Sequence, residues 1–294
     1  MLLKYDTISE LVDAAGSGKI SEHVLADQSK AMDVSAEEIF ARMEKSFDVM
    51  CEAVRAGQDE HVRSMSGLTG GEGFKMKNYA ETGGLSGKFM TKAMSMALAV
   101  AGYNASMGKI VATPTAGSCG IMPGCLVSLF DEGRAEKRDI VMSMFTAGAF
   151  GIVIAKNASI AGAQGGCQAE CGSASGMAAA SLVELMGGTP AQCADACAIA
   201  IANQLGLVCD PVAGLVEIPC IKRNVSGVMI AFSSADMALA GIKAYIPVDE
   251  CIVAMRNVGD ALSPALKETA GGGLAATPTG RRLKEQVFGK DRDE

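Results

Sequence analysis

The segment from Asp139 to Ala244 places the strongest constraint on how this chain can fold. It is dominated by Ala, Gly, Ser, Met and Ile in runs longer than a typical strand, with few alternating or β-branched stretches. Because small side chains let helix backbones approach closely, such runs pack into dense bundles. The segment therefore predicts an all-α fold, a compact bundle of Ala- and Gly-rich helices.

The composition of the 294 residues narrows the class of protein. Hydrophobic residues make up 49% of the chain, which excludes a disordered protein, and 33 acidic residues outnumber 26 basic ones. With no Lys/Arg stripe, we expect neither nucleic acid nor a membrane as a partner. The apolar stretch 140–155 is shorter than the roughly 20 residues that a bilayer requires, so it predicts a buried core helix.

The N-terminal region predicts short capped helices ahead of the bundle. Thr7 and Glu10 have the spacing of a capping box. Apolar residues between positions 39 and 54 recur at three- and four-residue steps, which indicates an amphipathic helix. We expect one helical domain over residues 1–294, in which residues 1–60 could form a small satellite.

The cysteines carry the main functional question. Acidic residues interrupt the N-terminal apolar run that a secretory signal needs, so we expect a cytoplasmic protein whose ten cysteines are reduced thiols. No CxxC pair is present and the only histidines are His23 and His61, which excludes the usual zinc and thioredoxin motifs. Cys193 and Cys197, at helical spacing in an Ala-rich run, are typical of core residues.

Cys167, Cys209 and Cys220 differ from the other cysteines because each lies beside chain-breaking residues. They occur in the contexts GGC, CDP and PC, where a turn can direct a thiolate off the end of an element. Three such thiolates would suit a [4Fe–4S] cluster with one open iron. From spacing alone, an ordinary core role and a closed cluster with Cys171 as fourth ligand also remain open.

The chain resembles the α chain of the iron–sulfur L-serine dehydratases from about Ser35 to Ala276. The resemblance implies an all-helical fold, a [4Fe–4S] cluster on the three cysteines named above, and a separate β chain as an obligatory partner; it gives Cys119 and Cys171 no such role. The segments that carry it are ATPTAGSCGIMPG (112–124), GAQGGCQAECGSASGMAAA (162–180), CDPVAGLVEIPCIKRN (209–224) and LKETAGGGLA (266–275).

The resemblance also implies a reaction. A member of this family is a lyase that dehydrates and deaminates L-serine to pyruvate and ammonia, in amino-acid degradation that supplies gluconeogenesis, without pyridoxal phosphate. The open iron serves as a Lewis acid. Single-chain members have a preceding α/β domain and a C-terminal cysteine that reaches the open iron. This sequence shows neither, which predicts a heterodimer without that form of self-inhibition.

The TPTAGSCG loop is the candidate binding site for the substrate carboxylate. Its hydroxyls and Gly-flanked N–H groups, at a predicted helix start, form the kind of site that binds anions. A plain helix cap is the alternative. The candidate residues are Thr113, Thr115, Gly117 and Ser118.

Other candidate residues lie outside that loop. Asn157 is a candidate hydrogen-bond donor to the cluster or substrate, and Arg223 and Lys156 are candidate counter-charges. His61 is a weak candidate for the general base, because a lone histidine is more often structural, and the β chain could supply the base instead. The rival functions are a related cluster enzyme such as a cysteine desulfidase, a non-catalytic iron–sulfur sensor, and a cluster-free helical protein.

Overall fold

The computed structural model describes residues 4–289; the ends of the predicted domain, 1–3 and 290–294, lie outside the described residues. The described residues form thirteen α-helices and only isolated β-bridges, so the predicted all-α fold is confirmed. The first seven helices are α1 Ile8–Ala15, α2 Ile20–Met32, α3 Ala36–Gly57, α4 Glu72–Ala80, α5 Lys88–Ala105, α6 Ile121–Asp131 and α7 Lys137–Asn157. The remaining six are α8 Gly162–Gly165, α9 Ser173–Leu185, α10 Pro190–Ala202, α11 Cys220–Leu239, α12 Val248–Ala261 and α13 Pro278–Phe288.

Helix α9 is the centre of the bundle. Every residue from Ser173 to Glu184 is buried, and the helix packs against α6, α7, α10 and α11. Small residues make this possible: a Cβ on Gly176 would lie 2.8 Å from the Cys197 sulfur on α10. The close approach of backbones expected from the Ala/Gly-rich sequence is therefore present at the core.

Helix α7 contains the apolar stretch predicted to be a core helix. It is long and apolar enough to cross a membrane by length and composition, but 67% of its apolar window is buried inside the fold. Phe145 and Phe150 on this helix have no exposed surface. Their burial contributes several kcal/mol, roughly 2–3 for each ring, and α7 packs as a core helix.

The N-terminal helices pack against the same core. The capping box of Thr7 and Glu10 begins α1, and Asp249 of α12 accepts hydrogen bonds from the amides of Ile8 (2.7 Å) and Ser9 (3.0 Å). Side chains of α1, α2 and α3 belong to one hydrophobic cluster with those of α7 and α9. Packing and helix capping together hold this region on the bundle.

Candidate metal centre and active site

Cys167 directly precedes a π-helical turn, Gln168–Gly172, which leads into α9. The Gln168 side chain is fully buried, and its amide donates to the backbone carbonyls of Gly165 and Met255, each at 2.9 Å. Such turns are rare and occur frequently at functional sites. A buried side chain thus anchors the segment that presents Cys167.

Cys209 lies in an extended segment that pairs with a distant part of the chain. Its N–H donates to the carbonyl of Leu266 at 2.8 Å, and its carbonyl accepts from the N–H of Glu268 at 2.8 Å. The two segments form an isolated parallel bridge between Cys209 and Lys267. Backbone pairing therefore brings the LKETAGGGLA segment beside this thiol.

Cys220 is the first residue of α11, and the buried Asn224 one turn later connects it to the TPTAGSCG loop. The Asn224 amide donates to the carbonyls of Cys220 (3.0 Å) and Gly117 (2.9 Å), and its oxygen accepts from the N–H of Gly120 (2.8 Å). One side chain, itself fully buried, therefore fixes the loop relative to the thiol.

The three cysteines influence one another electrostatically. Burial raises the pKa of Cys209 and raises that of Cys220 to about 12, and a charge on Cys167 raises both further. The pKa of Cys167 is lowered, because the Cys171 thiol lies 3.4 Å away as a hydrogen-bond partner and Arg223 adds positive charge, while burial opposes the shift. We therefore assign the thiolate of the Cys167–Cys171 pair to Cys167.

Arg223 forms an ion pair beside these thiols. Its guanidinium donates to Asp210 Oδ1 and to the carbonyl of Val208, each at 2.8 Å, and Asp210 Oδ2 accepts from the N–H of Leu274 at 2.7 Å. The Arg223 and Asp210 side chains are only 14% and 4% exposed. The predicted counter-charge thus braces the chain on both sides of Cys209 and places positive charge at the site.

The predicted carboxylate-binding loop lies against a carboxylate of the protein. Thr115 Oγ1 donates to Glu170 Oε1 at 2.7 Å, and a Cβ on Gly117 would lie 3.2 and 3.3 Å from the two Glu170 oxygens. Ser118 donates to the carbonyl of Thr113 at 3.0 Å, while the buried Thr113 hydroxyl has no hydrogen-bond partner among residues 4–289. Two of the four candidate residues, Thr115 and Gly117, therefore lie against Glu170.

Glu170 was not singled out by the sequence reasoning, although one signal was present. It is the only acidic residue between Asp139 and Glu184, in an otherwise apolar and Gly-rich stretch. Burial raises its pKa, and the hydrogen bond from Thr115 opposes the rise. A charged residue inside a buried run usually has a partner or a function.

The model of the serine dehydratase alpha chain family matches residues 16–275. The chain belongs to the serine dehydratase alpha chain family. The probable L-serine dehydratase alpha chain of Bacillus subtilis is 50% identical over 288 residues, which cover 97% of this chain and 96% of that protein. The L-serine dehydratase alpha chain of Peptoniphilus asaccharolyticus is 44% identical over 286 residues, covering 96% and 98%. The L-serine dehydratase TdcG of Escherichia coli is 45% identical over 182 residues, but these cover 61% of this chain and 40% of that longer protein.

The donor set of this serine dehydratase alpha chain family member fits an iron–sulfur cluster. Cys167 and Cys209 are 3% exposed and Cys220 is 7% exposed, and a Cβ on Gly162 would lie 2.9 Å from the Cys209 sulfur. Within residues 4–289, no group of at least three His, Cys, Asp or Glu side chains could hold a single metal ion.

Some candidate residues have other partners. The Asn157 amide donates to the carbonyl of Asp6 at 2.7 Å, and Lys156 forms an ion pair with the Asp6 carboxylate at 3.1 Å. Both hold the N-terminal segment against α7. The His61 side chain is 84% exposed and lies 3.3 Å from Glu60.

Proposed function

We propose that the chain is the α subunit of an L-serine ammonia-lyase that converts L-serine to pyruvate and ammonia, with a [4Fe–4S] cluster held by Cys167, Cys209 and Cys220. The observation that carries the proposal is the gathering of these turn-borne thiols around Arg223 in a member of the serine dehydratase alpha chain family. The relatives described above are named as L-serine dehydratases.

The thiols define the metal centre. When bound, the cluster supplies an iron with an open position, a Lewis acid for the hydroxyl and carboxylate oxygens of the substrate. The hydrogen bond with Cys167 and burial raise the pKa of the Cys171 thiol, and a protonated thiol is a poor ligand, so we assign three cysteines rather than four to the cluster. Arg223 offsets the negative charge of the thiolates, and the low exposure of the three cysteines keeps bulk water from them.

The TPTAGSCG loop positions the substrate. We assign Thr113, Thr115, Gly117 and Ser118 to its binding, because this loop is tied by Asn224 to the turn that carries Cys220. Removal of the Cα proton and of the β-hydroxyl eliminates water from L-serine and gives aminoacrylate. Its imine tautomer takes up water and releases pyruvate and ammonia, so atoms balance without pyridoxal phosphate.

A separate β chain completes the enzyme in this proposal, as a cytoplasmic heterodimer. The "alpha chain" relatives match this chain over 96% or more of its length, whereas it matches 40% of the length of the longer Escherichia coli protein. We assign the general base to the β chain, because the His61 side chain is 84% exposed and its imidazole lies 3.3 Å from the Glu60 carboxylate. The α chain alone is then inactive.

Anaerobic reconstitution of the full chain tests the proposal. With iron, sulfide and the β chain present, we expect a [4Fe–4S] Mössbauer spectrum, a change at one iron on adding L-serine, and pyruvate formation. A cluster that does not respond to L-serine would indicate the sensor. Sulfide release from L-cysteine without pyruvate from L-serine would indicate the desulfidase, and a colourless protein would leave the thiols as core residues.

A further inference from the structure

Glu170 occupies the junction between the TPTAGSCG loop and the proposed cluster. A Cβ on Gly162 would lie 2.8 Å from Glu170 Oε2 and 2.9 Å from the Cys209 sulfur, so carboxylate and thiol flank the same glycine. On its other side, Glu170 meets Thr115 and Gly117. Gly117 and Gly162 place no side chain of their own against the carboxylate, and a Cβ at either position would lie within 3.3 Å of one of its oxygens.

The protein uses only part of the hydrogen-bonding capacity of this carboxylate. Thr115 donates to Oε1, but no group of residues 4–289 donates to Oε2. Arg223, the cation whose charge acts on Glu170, is already paired with Asp210. In the same loop, the Thr113 hydroxyl is buried without a partner. A carboxylate in such a setting is stabilised by a cationic or hydrogen-bond-donating ligand.

L-Serine carries one cationic group, its α-ammonium. Since its carboxylate and hydroxyl are assigned to the metal side of the site, the ammonium is the group that a second carboxylate attracts rather than repels. We propose that Glu170 binds the α-ammonium group of the substrate through Oε2 and thereby selects amino acids over the corresponding hydroxy acids. This inference rests on the proposed function and adds a specificity-determining residue to it.

Two other roles for Glu170 make different predictions. As the general base it would act on the Cα proton, so its loss would lower kcat by about 10²- to 10⁴-fold with little change in KM. As a purely structural partner of Thr115 it would influence every ligand of the site equally. Binding of the ammonium predicts instead that only ligands with that group lose affinity.

The experiment compares L-serine with L-glycerate, which replaces the ammonium by a hydroxyl. In the reconstituted complex with the β chain, we measure KM and kcat for L-serine, Ki for L-glycerate, and the spectral titration of the cluster with each. For Glu170→Gln we expect the KM and the spectral Kd for L-serine to rise by about 10- to 100-fold, with kcat and the L-glycerate constants within about threefold of wild type.

Glu268→Gln is the matched control, because Glu268 is an exposed neighbour whose charge acts on Glu170. We expect it to leave the preference for L-serine unchanged. Three results for Glu170→Gln would overturn the proposal: an equal loss of affinity for L-serine and L-glycerate, a fall in kcat alone, or loss of bound iron and sulfide.

A second substitution, Glu170→Asp, retains the charge but withdraws it by one methylene. It should lower the affinity for L-serine by less than Glu170→Gln does and leave the affinity for L-glycerate unchanged. An equal loss of affinity for L-glycerate would also count against an ammonium site. Wild-type turnover of L-serine is scored separately: its absence refutes the lyase, whereas its presence with unchanged selectivity in both variants refutes only the role of Glu170.

Discussion

The cysteines of the candidate metal centre and those of the helical core share burial but differ in backbone context and in their charged neighbours. All ten cysteines are buried. For Cys125 and Cys197, burial is the main influence and raises the pKa, as expected for inert core thiols. At the centre, by contrast, Cys167 has a thiol partner and a nearby guanidinium that lower its pKa. Backbone context and neighbouring charge, rather than burial, therefore distinguish a candidate ligand.

The largest expected effect separates the two groups of cysteines directly. Replacing Cys167, Cys209 or Cys220 by Ala should reduce bound iron and sulfide to the background of a reconstitution without protein, because each substitution removes a ligand. Cys197→Ala, in the core, should retain the cluster and lose about 1 kcal/mol of unfolding free energy. Metal analysis measures the cluster content and urea denaturation measures the unfolding free energy. A full cluster content in any of the three ligand variants would contradict the division into ligand and core cysteines.

The charged surroundings of the centre give the next largest effect. Arg223→Met leaves the Asp210 carboxylate, only 4% exposed, without its cation, and we expect the unfolding free energy of the metal-free chain to fall by about 3–5 kcal/mol. The matched control is Arg42→Met, which breaks the exposed pair with Glu38 and should cost no more than about 0.5 kcal/mol. Similar losses in the two variants would show that the buried pair has no special role.

The smallest expected effect is a pH dependence centred on Glu170. Its pKa is raised above 4.5 in the folded chain, mainly by burial, so the folded state binds the proton more tightly than the unfolded state. The resulting stabilisation is fully present below about pH 4.5 and is lost as the pH rises through the folded-state pKa. Urea denaturation of metal-free protein between pH 4 and 7 should show this loss in wild type and not in Glu170→Gln; parallel curves would contradict it.

The helices and the three candidate cluster cysteines could be predicted from the sequence, because local patterns determine both. Apolar periodicity and small-residue runs indicated the helices, and chain-breaking neighbours separated Cys167, Cys209 and Cys220 from the core thiols. Glu170 was missed because its partner Thr115 is 55 positions away in the chain, a distance that no local pattern encodes. Asn157 was selected for its closeness to Cys167 in sequence, but the end of α7 directs its amide to the N-terminal segment.

The π-helical turn Gln168–Gly172 also has an evolutionary consequence. A π turn is equivalent to one residue inserted into an α-helix, so it changes the register of everything on its N-terminal side relative to α9. Deleting a single residue there would regularise the helix and rotate Cys167 and Glu170 by roughly 100° about its axis. A one-codon change in length is thus enough to separate the candidate ligand from its site.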